Sequence, residues 1–129
     1  MSASQNNLTL LVNQQDANGT NIVNRSIGAI AYAGVAGEFH DGILTDTNSK
    51  TLDLPTANIL QFYFKNTHAT AIITLTGTIQ GGASQSIAKI QPGGVFANWC
   101  ASTSSTAGFT ALAIQSDTAN ATYEMFLGG

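Results

Sequence analysis

Apolar and polar residues alternate in short runs along much of this chain, with a period of two rather than 3.6. Residues 59–65 put Leu60, Phe62 and Phe64 on one face and Gln61, Tyr63 and Lys65 on the other, the mark of a half-buried strand. Residues 71–79 repeat it, with Ile73, Leu75 and Ile79 opposed by Thr74, Thr76 and Thr78. Residues 109–115 and 121–127 read as two more strands joined around Asp117–Asn120, and 95–99 as a short apolar one. Ile87 and Ile90, within 85–91, share no strict face, so a β-bulge or a short strand is expected there. Turns are expected at 66–70, at 80–83 and at Pro92-Gly93-Gly94, where Pro fixes φ and Gly accepts a positive one. Residues 101–108 read as a flexible polar loop.

The first half is less regular. Residues 8–12 form an apolar run, and 13–26 are turn-rich, with Asn18-Gly19 a tight turn. Residues 27–37, small and apolar, read as a strand, with a short helix as the alternative because Ala favours helix while the interspersed Gly opposes it. Residues 40–56 read as loop around a short strand at 42–44, ended by Pro55. About eight short strands at roughly ten-residue spacing predict an all-β chain, an antiparallel β-sandwich of jelly-roll-like form. Residues 1–129 are expected to make one domain, with 1–26 as an N-terminal arm.

Composition sharpens this picture. Only 9% of the residues are charged, against about 25% in an ordinary soluble domain. Ala, Thr, Gly, Asn and Ser together make up 68 of 129 residues. Four cations and a net charge of −3 cannot form the basic surface that nucleic acid or an anionic membrane requires. The apolar share of 43% excludes an acidic disordered tail. A lone Cys excludes a disulfide-stapled scaffold, and no apolar run is long enough to predict a membrane helix. The start of the chain lacks the basic and apolar regions of a signal peptide, so none is expected. The charged residues are expected mostly in turns and loops, leaving strand faces of Thr, Ser, Gln and Asn that suit contact with other protein.

No pattern of residues predicts a catalytic, cofactor-binding or metal site. His40 stands beside Asp41 and near Glu38, yet no second His follows at a ligand spacing, so FHDG reads as a solvated turn. His68 is expected to face solvent in its own turn. Cys100 has no motif supplying a base or an oxyanion hole and reads as a small buried residue at a strand end. Asp41, Asp46 and Asp53 lack the one-three-five spacing of a calcium loop, and most of the carboxylates read as turn residues. The glycine pairs at 81–82, 93–94 and 128–129 precede no Lys-Ser/Thr and are turn or chain-end residues. Tyr63 and Trp99 are the candidate glycan contacts, Tyr63 because it lies on the polar face of its strand.

From residue 59 onward the order of elements resembles small all-β virion proteins of tailed bacteriophages. An aromatic strand ends in Lys-Asn-Thr, a Thr-alternating strand follows, an Ile strand runs into Pro-Gly-Gly-Val-Phe, and the chain closes on ATYEMFLGG. The resemblance covers residues 59–129 and is to capsid decoration (cement) proteins and to tail or spike β-sandwich modules. It implies a non-enzymatic structural protein of the virion that binds between major capsid subunits. It further implies that the chain associates with itself, most simply as a trimer. The alternative it leaves open is a carbohydrate- or receptor-binding module of a tail or spike.

Overall fold

The computed structural model describes residues 4–34, 37–79, 82–99 and 108–129, with side chains described for all of these except 4–7, 12, 21–34 and 99. The described residues form ten strands: β1 (Ser4–Gln15), β2 (Asn21–Gly34), β3 (Gly37–Leu44), β4 (Lys50–Thr51), β5 (Gln61–Asn66), β6 (Ile73–Ile79), β7 (Gln85–Ile90), β8 (Val95–Trp99), β9 (Phe109–Ser116) and β10 (Ala121–Gly128). Eight of them build two four-stranded antiparallel sheets, ordered β3-β10-β5-β8 and β4-β9-β6-β7. The pairing is nested. Within the sandwich the first strand pairs with the last (β3 with β10), then β4 with β9, β5 with β8 and β6 with β7. The β10–β5 and β6–β9 ladders then join these pairs into sheets. Such a doubled ribbon wrapped into two sheets is a jelly roll, the architecture expected from the strand spacing.

The core lies between the sheets and follows from the period of two. Phe62, Phe64, Tyr123, Met125 and Leu127 are buried from one sheet, and Ile73, Leu75, Leu112 and Ile114 from the other. Two bulges adjust the pattern. Leu75 pairs with Ala88 and Thr76 with Ser86, which makes Ile87 the extra residue and lets Ile90 turn inward, as the sequence suggests. Thr78 pairs with Ala111 and Ile79 with Phe109, so Phe109 and Leu112, three apart, both reach the core.

Several expectations are corrected. Residues 13–26 are strand apart from a short turn, in which the Asp16 carboxylate accepts from the Asn18 and Thr20 amides and Gly19 takes φ +82°. Residues 37–44 form one strand, so FHDG is not a turn. Gln61 is fully buried at 0% exposure, although alternation keeps it on the face of the half-buried Tyr63 and Lys65. Ile79, the last residue of β6, is exposed rather than buried. Seven of the eleven charged residues sit in strands, not turns. Four of the seven (Glu38, Asp41, Lys50 and Lys89) are on the edge strands β3, β4 and β7, where charge discourages unwanted strand pairing.

β1 and β2 form a separate two-stranded ribbon, belonging to neither four-stranded sheet. Only residues 35–36 separate it from β3. Most of the loop expected at 101–108, and Cys100, lie outside the described residues.

Candidate interaction surface

The outer face of the β3-β10-β5-β8 sheet is built by register. Phe39 stands opposite Phe126, which stands opposite Tyr63, which stands opposite Ala97. Two residues along, the next row is Asp41, Glu124, Lys65 and Val95. The row after that begins with Ile43 and Thr122. Directly opposed residues of an antiparallel ladder share a face, so one side of the sheet carries an aromatic row beside a charged row. Phe39 is 59% exposed, Val95 57% and Ile43 50%, and all three belong to this face. The rings of Phe39 and Tyr63 lie nearly parallel at 23°, with centroids 6.4 Å apart.

Tyr63 is held rather than free. Its hydroxyl donates to Glu124 Oε1 at 2.8 Å. Burial pushes its pKa up from 10.0 to about 12, helped by that hydrogen bond and by the negative charge of Glu124. Because the folded-state value is raised, the stability it contributes is present in full below pH 10 and is lost as pH rises towards 12. Ultraviolet titration is expected to find Tyr63 ionising near pH 12, and Glu124→Gln to bring it part of the way back to 10. An unchanged titration in that variant would contradict the assigned bond. Among the described residues Lys65 makes no ion pair, although it stands opposite Glu124.

Trp99, the second candidate, ends β8 opposite Gln61, one row from Tyr63. Backbone pairing thus brings the two candidates to adjacent strands, while the Trp99 side chain lies outside the described residues.

The other polar groups do different work. His40 Nε2 lies 2.9 Å from Glu38 Oε2, both well exposed, at the mouth of a 300 Å³ crevice. The crevice is lined from both β3 and β4, with Lys50, Asp53, Gly42 and Tyr123 among its other lining residues. Gly42 is required there because a Cβ would run into the Tyr123 ring. The crevice holds mixed charge, and among the described residues no three His, Cys, Asp or Glu gather as metal ligands. Asp41 also borders the crevice, although the alternation of β3 sets it on the outer face opposite Glu124.

His68 is half-buried rather than simply solvent-facing, and its Nδ1 accepts from the Thr70 and Ala71 amides at 3.2 and 3.0 Å. Asp117 accepts from the Ile72 amide at 2.9 Å and from the Thr118 hydroxyl, and these bonds hold its carboxyl below its ordinary range. Asp46 caps its own turn through the Asn48 amide. These groups shape loops.

No protein-family model matches this chain, and no curated protein matches it. Sequence reasoning missed Phe39, Ile43, Val95 and Phe126 as surface residues. The alternation Phe39, Asp41, Ile43 was present, but Glu38, His40 and Asp41 made the segment look like loop. A strand at the sheet edge presents polar groups on both faces, and this hides its period.

Proposed function

We propose that this chain is a structural subunit of a virion, a capsid decoration or cement protein that binds between major capsid subunits and stabilises the shell. The observation that carries this reading is the sheet face bearing exposed Phe39, Ile43 and Val95 together, an apolar surface of the kind that marks protein contact. The jelly-roll topology supports it, since that architecture recurs in viral capsid domains, though by fold-level analogy alone. So does the low charge, which weakens repulsion between identical copies. In this reading the chain is no enzyme, and it works in the virion through contacts with itself and with a capsid protein.

A second reading, a carbohydrate- or receptor-binding module of a tail or spike, is favoured by the exposed Phe39 stacked with Tyr63 beside Asp41 and Glu124. Two measurements separate them. Mass photometry of the purified chain should find an oligomer, and gradient-purified virions should contain it and melt at lower temperature when it is omitted. A strictly monomeric chain absent from virions would sink the first reading. Glycan binding that disappears in Tyr63→Ala would move the assignment to the second.

A further inference from the structure

The outer face of the β3-β10-β5-β8 sheet carries its own complement. Lys65 and Glu124 stand directly opposite each other on the two inner strands, β5 and β10. The bond from Tyr63 uses Glu124 Oε1, and among the described residues Lys65 makes no ion pair. Both charges can therefore take a partner from outside the chain. Beside them runs the row Phe39, Phe126, Tyr63 and Ala97, and Val95 closes the charged row at β8. Covering this face takes a surface that is apolar over the first row and opposite in charge over the second.

A second copy offers that surface in one orientation. A two-fold axis running along the strands, between β5 and β10, lays each row on the same row of the other copy in reverse order. Lys65 then meets the second copy's Glu124, and Glu124 its Lys65. Phe126 meets Tyr63, and Phe39, 59% exposed, meets Ala97, the smallest side chain of the row. Asp41 lies over Val95 at the sheet edge, where it keeps its water. A two-fold axis across the strands fails. Centred on the charged row, it sets Glu124 on Glu124 and Lys65 on Lys65. Centred between the rows, it sets Glu124 on Phe126 and Asp41 on Phe39. Face-to-face sheets keep their strands within about 30° of alignment, so two rows about 6.8 Å apart stay matched. The face measures about 19 Å across its four strands and about 27 Å along the eight residues of β10. Packing two such faces buries on the order of 1,000 Å² in all, the area a specific contact needs.

We infer that this chain pairs with a second copy of itself through the outer face of the β3-β10-β5-β8 sheet, with Lys65 of each copy on Glu124 of the other. The inference rests on the reading of the chain as an assembly subunit and names one self-contact. The apolar row drives the association, and the charge pairs fix its orientation. The contact is isologous and closes at two copies, not at the three that the resemblance implies.

Sedimentation velocity on the full chain tests it, with wild type expected to dimerise. Lys65→Glu and Glu124→Lys, each alone, put like charges on both contacts and are expected to raise the concentration for half-association by about tenfold or more. An equimolar mixture of these two variants has opposite charges at both contacts again and should dimerise like wild type. A second measurement covers any variant that fails to fold. Asp41→Cys and Val95→Cys, each made in a Cys100→Ser chain, are mixed and treated with a bis-maleimide of about 10 Å, the spacing of packed sheets. The mixed cross-link is expected to predominate over either cross-linked homodimer. Association that ignores both reversals, with no excess of the mixed cross-link, overturns the contact and leaves the virion reading standing. So does a wild-type monomer that is nonetheless found in virions, which would give this face to another partner. A wild-type monomer absent from virions overturns both.

Discussion

Asn66→Leu is expected to lower the stability of this fold by about 3–5 kcal/mol, because a buried donor and acceptor would be removed from three partners at once. Asn66 is 0% exposed at the end of β5. Its Nδ2 donates to the Ala71 carbonyl at 2.7 Å and to the Ile90 carbonyl at 3.0 Å, while its Oδ1 accepts from the His68 amide at 3.0 Å. Its backbone accepts from the Gly93 amide and donates to the Gly94 carbonyl. One side chain thus ties the β5–β6 turn to the end of β7, beside the Pro-Gly-Gly corner. Leucine fills a similar volume and takes the side-chain partner away from two carbonyls and an amide. Denaturant unfolding should show a lower midpoint at unchanged slope. Asn66→Asp keeps the acceptor for His68 but aims a carboxylate at two carbonyls, so it should also be unstable at neutral pH. Its deficit should narrow in acid, because protonation of a carboxyl whose pKa is raised by folding restores a donor. A variant as stable as wild type would show that the network contributes nothing.

Phe64→Ala is expected to cost about 3–5 kcal/mol through lost burial and the cavity left behind. Phe64 is 0% exposed on the central strand β5. It stacks on Tyr123 at 5.4 Å and 16° and meets Phe62 at 6.3 Å. Phe62 in turn meets Phe96 of β8 at 5.9 Å. At about 4 °C per kcal/mol for a chain of this size, the thermal midpoint should fall by about 10–20 °C. Phe39→Ala is the internal control. Its ring lies on the outer face, so in the isolated chain it should shift stability by about 0.5 kcal/mol or less. Equal losses at the two positions would contradict the assignment of faces.

The second half of the chain was legible because its strands obey simple alternation. Thr74, Thr76 and Thr78 are half-buried outside, while Ile73 and Leu75 are buried inside. The off-face pair Ile87 and Ile90 already announced the bulge in β7. β10 alternates in the same way and pairs on both edges. The first half was harder to read for a physical reason. β1 and β2 belong to neither four-stranded sheet and β3 buries only Leu44, so the one-sided burial that marks the later strands with alternation does not mark these. Asn-rich strand segments then look like turns, and an edge strand carrying Glu38, His40 and Asp41 looks like loop.

The candidate surface shows the same division. Tyr63 was found from its position on a strand, and its partner Glu124, sixty-one residues away, could not be. The burial of Gln61 and Asn66 was likewise invisible, since a polar residue within a strand reads as solvent-facing until its neighbours are known.

By itself, the sequence of this protein determined the class of fold, the positions of most strands and turns from residue 59 onward, and the shortage of charge. Those properties follow from local sterics and from the period with which side chains alternate. Only the tertiary structure decided which strands meet. Pairing first with last assembled Phe39, Phe126 and Tyr63 into one row, set the carboxylates beside it, and left the ribbon outside both sheets. Strand order depends on closing loops across the whole chain, which local propensity does not encode.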